Sequence, residues 1–284
     1  MTCSNNEIAE LITFIQKLCG VCLNESKLYL LETRLDDILK RHNIASYQEL
    51  ARRAASPGAA RLRQEIIDAI TTRETLFFRD ESPFQALQHK VLPELIDLKQ
   101  NTPFPRRIRI WSAACSTGQE PYSIAIVLRE TIPNVDAWDV QILATDISQE
   151  AIAKASRGEY EPFEIQRGLS PRLLNQYFVN QGSSWRVRDE LRWMIKFEQR
   201  NLLEPFVGLG PFDIVFCRNV LIYFDKPTRK DVLLRICKVM PQHGYLFVGS
   251  SEYLGEFGPQ FRPQHHCRAV YYRPNLVAGG VVRV

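Results

Sequence analysis

The sequence predicts an α/β protein with a mostly parallel sheet, preceded by a small all-helical domain and interrupted by a short antiparallel insertion. Three observations carry this. Apolar residues recur at helical spacing through the first eighty positions, short β-rich runs alternate with helical stretches from Arg106 onward, and that rhythm breaks between Arg157 and Phe197. The 284 residues are nearly twice the length of one ordinary domain. Hydrophobic residues at 45% and charged residues at 24% exclude a disordered or low-complexity chain. A formal net charge of +4 is too mild to mark a nucleic-acid partner.

Taken in order, Ile8, Leu11, Ile12, Ile15 and Leu18 lie on one helical face, and Leu28, Leu31, Leu35, Ile38 and Leu39 on a second. Cys19 and Cys22 form a lone CxxC with no second pair and no histidine pair, which reads as structural thiols at a helix end. The seven scattered cysteines fit reduced core residues. Ser46 caps a short helix, and Ser56-Pro57 starts the helix carrying Leu62, Ile66, Ile67 and Ile70. Residues 1–80 thus form a helical domain, 81–106 a connecting helix and a linker containing Pro103 and Pro105, and 107–284 the α/β domain. Its strands are RIRIWSA (107–113), VQILATD (140–146), FDIVFC (212–217), GYLFVG (244–249) and AVYYR (269–273). Helices start at Glu120-Pro121, Ser148, Ser170-Pro171 and Lys226-Pro227, each with a capping residue or proline in the first turn. Trp185 to Phe197 alternates with period two, so residues 157–197 are expected to hold an inserted antiparallel element. The most apolar region, 212–224, contains Asp213, Arg218 and Asn219 and is too short to cross a bilayer. Without a basic leader, the chain is expected to be cytoplasmic.

The first strand ends in SAACSTGQEPYS (112–123), small residues leading straight into a helix, which suits a ligand at the carboxyl end of a parallel strand. One glycine, Gly118, spells neither GxGxxG nor a P-loop, and Glu120 at the helix start disfavours a phosphate. A cationic or neutral ligand is expected. Asp146 at the tip of the second strand is either a ribose acceptor or a turn aspartate. Arg218, Asn219 and Tyr223 follow the third strand and face the same crevice. In TTRETLFFRD (71–80), Arg79 follows Phe77 and Phe78, which read on composition alone as interface aromatics at a helix end.

TTRETLFFRD, WSAACSTGQEPYSIA, ATDIS, NLLEP and FCRNVLIYF, in this order and spacing, resemble the CheR family of chemotaxis-receptor glutamate O-methyltransferases over nearly the whole chain. The resemblance implies a Rossmann-like S-adenosylmethionine methyltransferase domain with a three-stranded antiparallel insertion. It places cofactor contacts on Thr75, Arg79, Glu120, Asp146, Asn201, Leu202, Arg218 and Asn219, with Arg79 and Tyr223 nearest the reacting groups. Where the family usually has asparagine, this chain has Arg73; a guanidinium beside a sulfonium must point away or meet a carboxylate, and Glu74 is the nearest candidate. A glutamate acceptor is already ionised at neutral pH, which accounts for the absence of an obvious catalytic histidine. No metal is implied.

The implied partner is the acidic methylation helices of a receptor's cytoplasmic domain, met by a monomeric enzyme without nucleic acid or membrane insertion. From Ile38 to Arg63 the chain carries Lys40, Arg41, Arg52, Arg53, Arg61 and Arg63 against Glu49, either a solvated helical face or a docking patch centred on Lys40, Arg41, Arg52 and Arg53. The loop VNQGSSW (179–185) is short and lacks the Gly-x-Gly of peptide-tethering members of the family it resembles, so weak or no receptor-tail tethering is expected. A different methyl acceptor, or a silent cofactor-binding module, is the alternative; retention of both Arg79 and Tyr223 favours an enzyme.

Overall fold

The structure, a computed structural model, describes residues 5–23, 28–100, 102, 106–257 and 260–275. The linker prolines Pro103 and Pro105 lie outside these. Helices α1 (Asn5–Cys19), α2 (Leu28–Arg41), α3 (Tyr47–Ala55) and α4 (Ala60–Ile70) enclose a core of their own, built on the predicted stripes: Leu11, Ile15, Leu35, Leu50 and Ile66 are fully buried. Ser46 caps α3 by accepting the Glu49 N–H. Ser56 behaves differently from the expectation. It closes α3, donating its N–H to Arg53 O, and α4 begins four residues later without a side-chain cap. The serine fell where one helix had to stop before the next could start.

An irregular strap (71–81), turning at 77–80, leads from α4 to α5 (Ser82–Ala86), which continues through a π turn (Leu87–Val91) into α6 (Leu92–Lys99). The strap is not the helix end that composition suggested. Phe78, Asp80 and Glu81 have positive φ, which no helix tolerates. Phe77 does sit between units: its buried ring packs edge-on to Tyr160 and Phe178 at 5.0 and 5.5 Å.

The α/β part contains β1 (Arg107–Ala113), α7 (Gln119–Thr131), β2 (Asp139–Asp146), α8 (Gln149–Arg157), β3 (Glu159–Tyr160), α9 (Pro162–Gln166), α10 (Pro171–Tyr177), β4 (Phe178–Asn180), β5 (Trp185–Val187), α11 (Asp189–Arg192), β6 (Ile195–Gln199), β7 (Ile214–Cys217), α12 (Lys226–Lys238), β8 (Tyr245–Val248), β9 (Phe261–His266) and β10 (Ala269–Pro274). Seven of the strands form one sheet in the order β6-β2-β1-β7-β8-β10-β9, parallel from β6 to β8 and closed by an antiparallel hairpin. Both faces are covered: Ile108, Ile110, Ile142 and Phe216 pack on one side, and Trp111, Leu143, Val215 and Leu246 on the other.

A second, antiparallel sheet runs β3-β5-β4. The period-two run from Trp185 to Phe197 is therefore two structures. Trp185–Val187 belongs to the small sheet, whereas Ile195–Gln199 pairs in parallel with β2 at the edge of the large one. A half-covered edge strand alternates as an antiparallel one does, so periodicity alone could not separate them. Gln181 N–H to Ser184 O and Gly182 N–H to Asn180 Oδ1 make the 179–185 loop a tight hairpin turn.

Candidate active site

Strand order reverses at β1: the chain moves to β2 and β6 on one side and to β7 and β8 on the other. The carboxyl ends of β1, β2 and β7 consequently splay apart and leave a crevice. A cavity of about 460 Å³ fills it, within the range of small-molecule sites. Arg73, Thr75, Arg79, Glu120, Asp146, Asn201, Leu202, Arg218, Asn219 and Tyr223, predicted from five separate segments, all line this one cavity.

The turn after β1 presents its backbone to the cavity. Ala114, Ser116 and Gly118 have left-handed φ of 60°, 51° and 97°, and a side chain on Gly118 would meet Ala155 Cβ and Tyr160 Oη at 2.8 Å. Asp146 answers from β2: Oδ2 accepts Ser116 N–H at 2.8 Å and Oδ1 accepts Ser148 N–H at 2.9 Å. The turn role of Asp146 is thus seen directly, and the residue also lines the cavity. Burial pushes its carboxyl above the ordinary aspartate range, against the backbone donors that hold it down.

Arg218 and Glu120 form a buried ion pair, Nη1 to Oε2 at 3.0 Å, with the Arg218 side chain 1% exposed. Arg218 Nη2 also meets Asp80 Oδ2 at 2.8 Å and donates to Arg79 O at 2.7 Å, so it ties the strap to β7. Glu120 accepts the Ser112 hydroxyl at 2.7 Å, and burial raises its carboxyl despite Arg218. Arg218 Nε is buried with no hydrogen-bond partner among the described residues, and the guanidinium lies over the Phe84 ring at 5.6 Å. Arg79 differs. It makes no ion pair among the described residues and donates one N–H to Glu74 O at 3.1 Å. Arg73 does meet a carboxylate, but at Glu150, 2.7 Å away. Glu74, the expected partner, pairs with Arg167 of the insertion.

Asn201 and Tyr223 reach the cavity while holding the helical domain. Asn201 Nδ2 donates to Leu18 O at 2.9 Å, and Tyr223 O accepts Cys22 N–H at 2.8 Å. The helical domain therefore supplies a wall that sequence reasoning missed, including Cys19, Val21, Leu31 and Arg34. A signal existed for Arg34: it occupies the helical stripe between Leu31 and Ile38, where a cation needs a reason. It donates to Ile70 O at 2.8 Å. Cys19, buried and donating to Ile15 O, has its thiol pushed up to about 11 by burial, consistent with a structural role for the CxxC.

Lys40, Arg41, Arg52 and Arg53 lie away from this cavity, exposed at the ends of α2 and α3, which Arg53 Nη1 to His42 O brings together. Arg41 pairs with Glu65 and Arg53 with Glu49, so among the described residues Lys40 and Arg52 are the two of the four without an ion pair.

The cavity fits S-adenosylmethionine: carboxylates, guanidiniums and amides alternate with apolar side chains, as suits a ribose diol, an amino acid and a sulfonium. Comparison with known proteins agrees. Residues 73–269 match the family described as CheR methyltransferase, SAM binding domain, and residues 6–71 its all-alpha domain. A chemotaxis protein methyltransferase of Pseudomonas putida is 43% identical over 258 residues, covering 89% of this chain and 92% of the relative. One from Pseudomonas aeruginosa is 40% identical over 278 residues, covering 96% and 99%. One from Borreliella burgdorferi is 36% identical over 255 residues, covering 88% of each.

Proposed function

Because the chain belongs to the CheR methyltransferase family, we propose that it transfers the methyl group of S-adenosylmethionine to glutamate side chains of chemotaxis receptors, forming methyl esters. The observation that carries this is the convergence of Arg79, from the strap, and Tyr223, from the loop after β7, on one cavity at the sheet's switch point. When bound, the cofactor supplies an electrophilic methyl carbon. The residues of the chain supply position. An incoming glutamate is ionised at neutral pH, so no side chain has to remove a proton. Arg79, free of carboxylate partners among the described residues, keeps its charge available to orient that glutamate. Arg218 cannot share this task, since Asp80 and Glu120 already take its two terminal nitrogens. It braces the strap that carries Arg79. Burial raises the carboxyls of Glu120 and Asp146, which line the same cavity.

The exposed cations Lys40 and Arg52 suit docking of an acidic receptor helix, with Arg41 and Arg53 partly committed to neighbours on the same face.

The test uses S-adenosylmethionine labelled on its methyl group and membranes containing receptors. Label should appear on the receptor and leave as methanol in mild alkali; alkali-stable label would overturn the glutamate assignment. Arg79→Ala should cost on the order of 100-fold in kcat, as lost orientation does, with an unchanged far-UV circular dichroism spectrum. Normal turnover by this variant would remove Arg79 from the proposed role.

A further inference from the structure

Glu252 belongs to none of the segments that line the cavity. It follows β8, is 7% exposed, and has no cationic partner among the described residues. A buried carboxylate without a cation must be held by hydrogen bonds, and three backbone donors hold this one. Oε2 accepts the N–H of Asn219 at 2.7 Å and that of Gly249 at 2.6 Å, and Oε1 accepts the N–H of Ile222 at 3.1 Å.

Two of those donors belong to the cavity loop. Asn219 has a left-handed φ of 58°, a conformation that asparagine tolerates but that needs support. Ile222 sits in the single 3₁₀ turn (Leu221–Tyr223) that presents Tyr223, and Val220 at the start of that turn offers no side-chain cap. Glu252 supplies the missing acceptor, and its negative charge sits where the turn's N–H groups point. The third donor explains Gly249: a side chain there would meet Asn219 Nδ2 and Glu252 Oε2 at 2.7 Å. The ends of β7 and β8 are thus fastened together through one carboxylate.

We infer that Glu252 is a positioning residue for the proposed methyl transfer: it fixes Asn219 and Tyr223 in the geometry the cavity requires without touching cofactor or acceptor. The inference rests on the reading of the cavity as a methyl-transfer site. The two oxygens divide the work. Oε2 secures Asn219, which lines the cavity beside Arg218, and Oε1 secures the turn that carries Tyr223.

Glu252→Gln separates the two. The single carbonyl oxygen of glutamine goes to the paired donors of Asn219 and Gly249, and its amide is left facing the Ile222 N–H, donor against donor. This variant should bind S-adenosylhomocysteine within about threefold of wild type, yet lose roughly 10- to 100-fold in kcat with an unchanged receptor KM, as a misplaced group does. Glu252→Ala should weaken both binding and kcat. Calorimetry with S-adenosylhomocysteine and the labelled-methyl assay read these, with thermal melts confirming that each variant is folded. A Glu252→Gln protein with wild-type kcat would overturn the assignment, even if the alanine variant fails to fold. A wild-type protein that binds S-adenosylhomocysteine but methylates nothing would instead overturn the proposed function, and this assignment with it.

Discussion

Gly168 offers the sharpest perturbation of the strap. It lies at the end of α9 with φ of 104°, and a Cβ built on it would stand 1.9 Å from the carbonyl oxygen of Phe77. Since real Cβ contacts stay beyond 3.0 Å, alanine would drive Phe77 back by about 1.1 Å. Phe77 cannot absorb this by a rotamer change. Its ring is fully buried between Tyr160 and Phe178, and the next residue is fixed by Phe78 N–H to Ser123 Oγ at 3.0 Å. The displacement passes to Arg79, two residues on. Left-handed strain should cost about 1–3 kcal/mol, and relief of the clash about 1–3 kcal/mol more. Each kcal/mol lowers Tm by about 2–4 °C in a chain of this size. A 1 Å misplacement near the reacting groups can cost about 100-fold in rate. Gly182→Ala is the control: φ is 88°, but nothing lies within 4 Å of its Cβ. It should show the strain and keep the activity. Differential scanning fluorimetry and labelled-methyl turnover, run on both variants at a temperature where both are folded, measure this. Wild-type turnover in Gly168→Ala, or an equal loss in Gly182→Ala, would refute the argument that the insertion sets the position of Arg79.

Two further outcomes follow from charge. Lys40→Glu with Arg52→Glu should raise the receptor KM several-fold at low salt while leaving S-adenosylhomocysteine affinity unchanged, and the difference should shrink by 1 M salt, where the screening length is about 3 Å; equal KM values at low salt would leave the patch a solvated face. On acidification, Glu120 and Asp146, raised by burial, take up protons above their ordinary values of 4.5 and 3.8, whereas Glu130 and Asp139, held down by hydrogen bonds from Arg172 and Arg109, stay charged below theirs. The raised pair favours the fold increasingly as pH falls to their ordinary values, and the depressed pair loses its stabilisation only as pH falls through their lower ones. S-adenosylhomocysteine affinity should therefore fall at a higher pH than the far-UV signal; coincident loss of the two would contradict the assignment of the buried carboxylates to the cavity.

The fold was legible wherever a residue's own type carries the message. The stripes Leu11–Ile15 and Leu62–Ile66–Ile70 can only be helix faces, and Ser46, Ser148 and Ser170 announce the helices they cap. Small residues from Ser112 to Gly118 with an acid at Asp146 marked the crevice, since a backbone exposed to a ligand needs exactly such side chains to be short. Legibility failed where two local signals compete. Ser56 carries the letter of an N-cap but serves as a C-cap, because α4 waits for Ala60. Ile195–Gln199 alternates like its neighbour Trp185–Val187 and yet joins a different sheet, a choice made by β2 fifty residues upstream.

The residues that sequence reading missed share one property: what they do is decided by an atom far away along the chain. Gly168 matters because Phe77 O lies against it, Glu252 because Asn219 and Ile222 direct their N–H groups at it, and Arg34 because α2 lies against a cavity built mostly by the other domain. Arg34 alone leaves a trace, as a cation within an apolar helical stripe; Gly168 and Glu252 leave none. Such relations also turn separate motifs into one site. Arg218 joins β7 to the strap, Asn201 joins the end of β6 to α1, and Asp68 on α4 accepts the Ser148 hydroxyl at 2.6 Å at the start of α8. Each is a side chain of one segment satisfying backbone or polar groups of another, and breaking one leaves a buried group unpaired at a cost of about 1–3 kcal/mol. The chemistry of the cavity can therefore be read from the motifs that line it, while its geometry depends on polar ties between segments that no single motif contains.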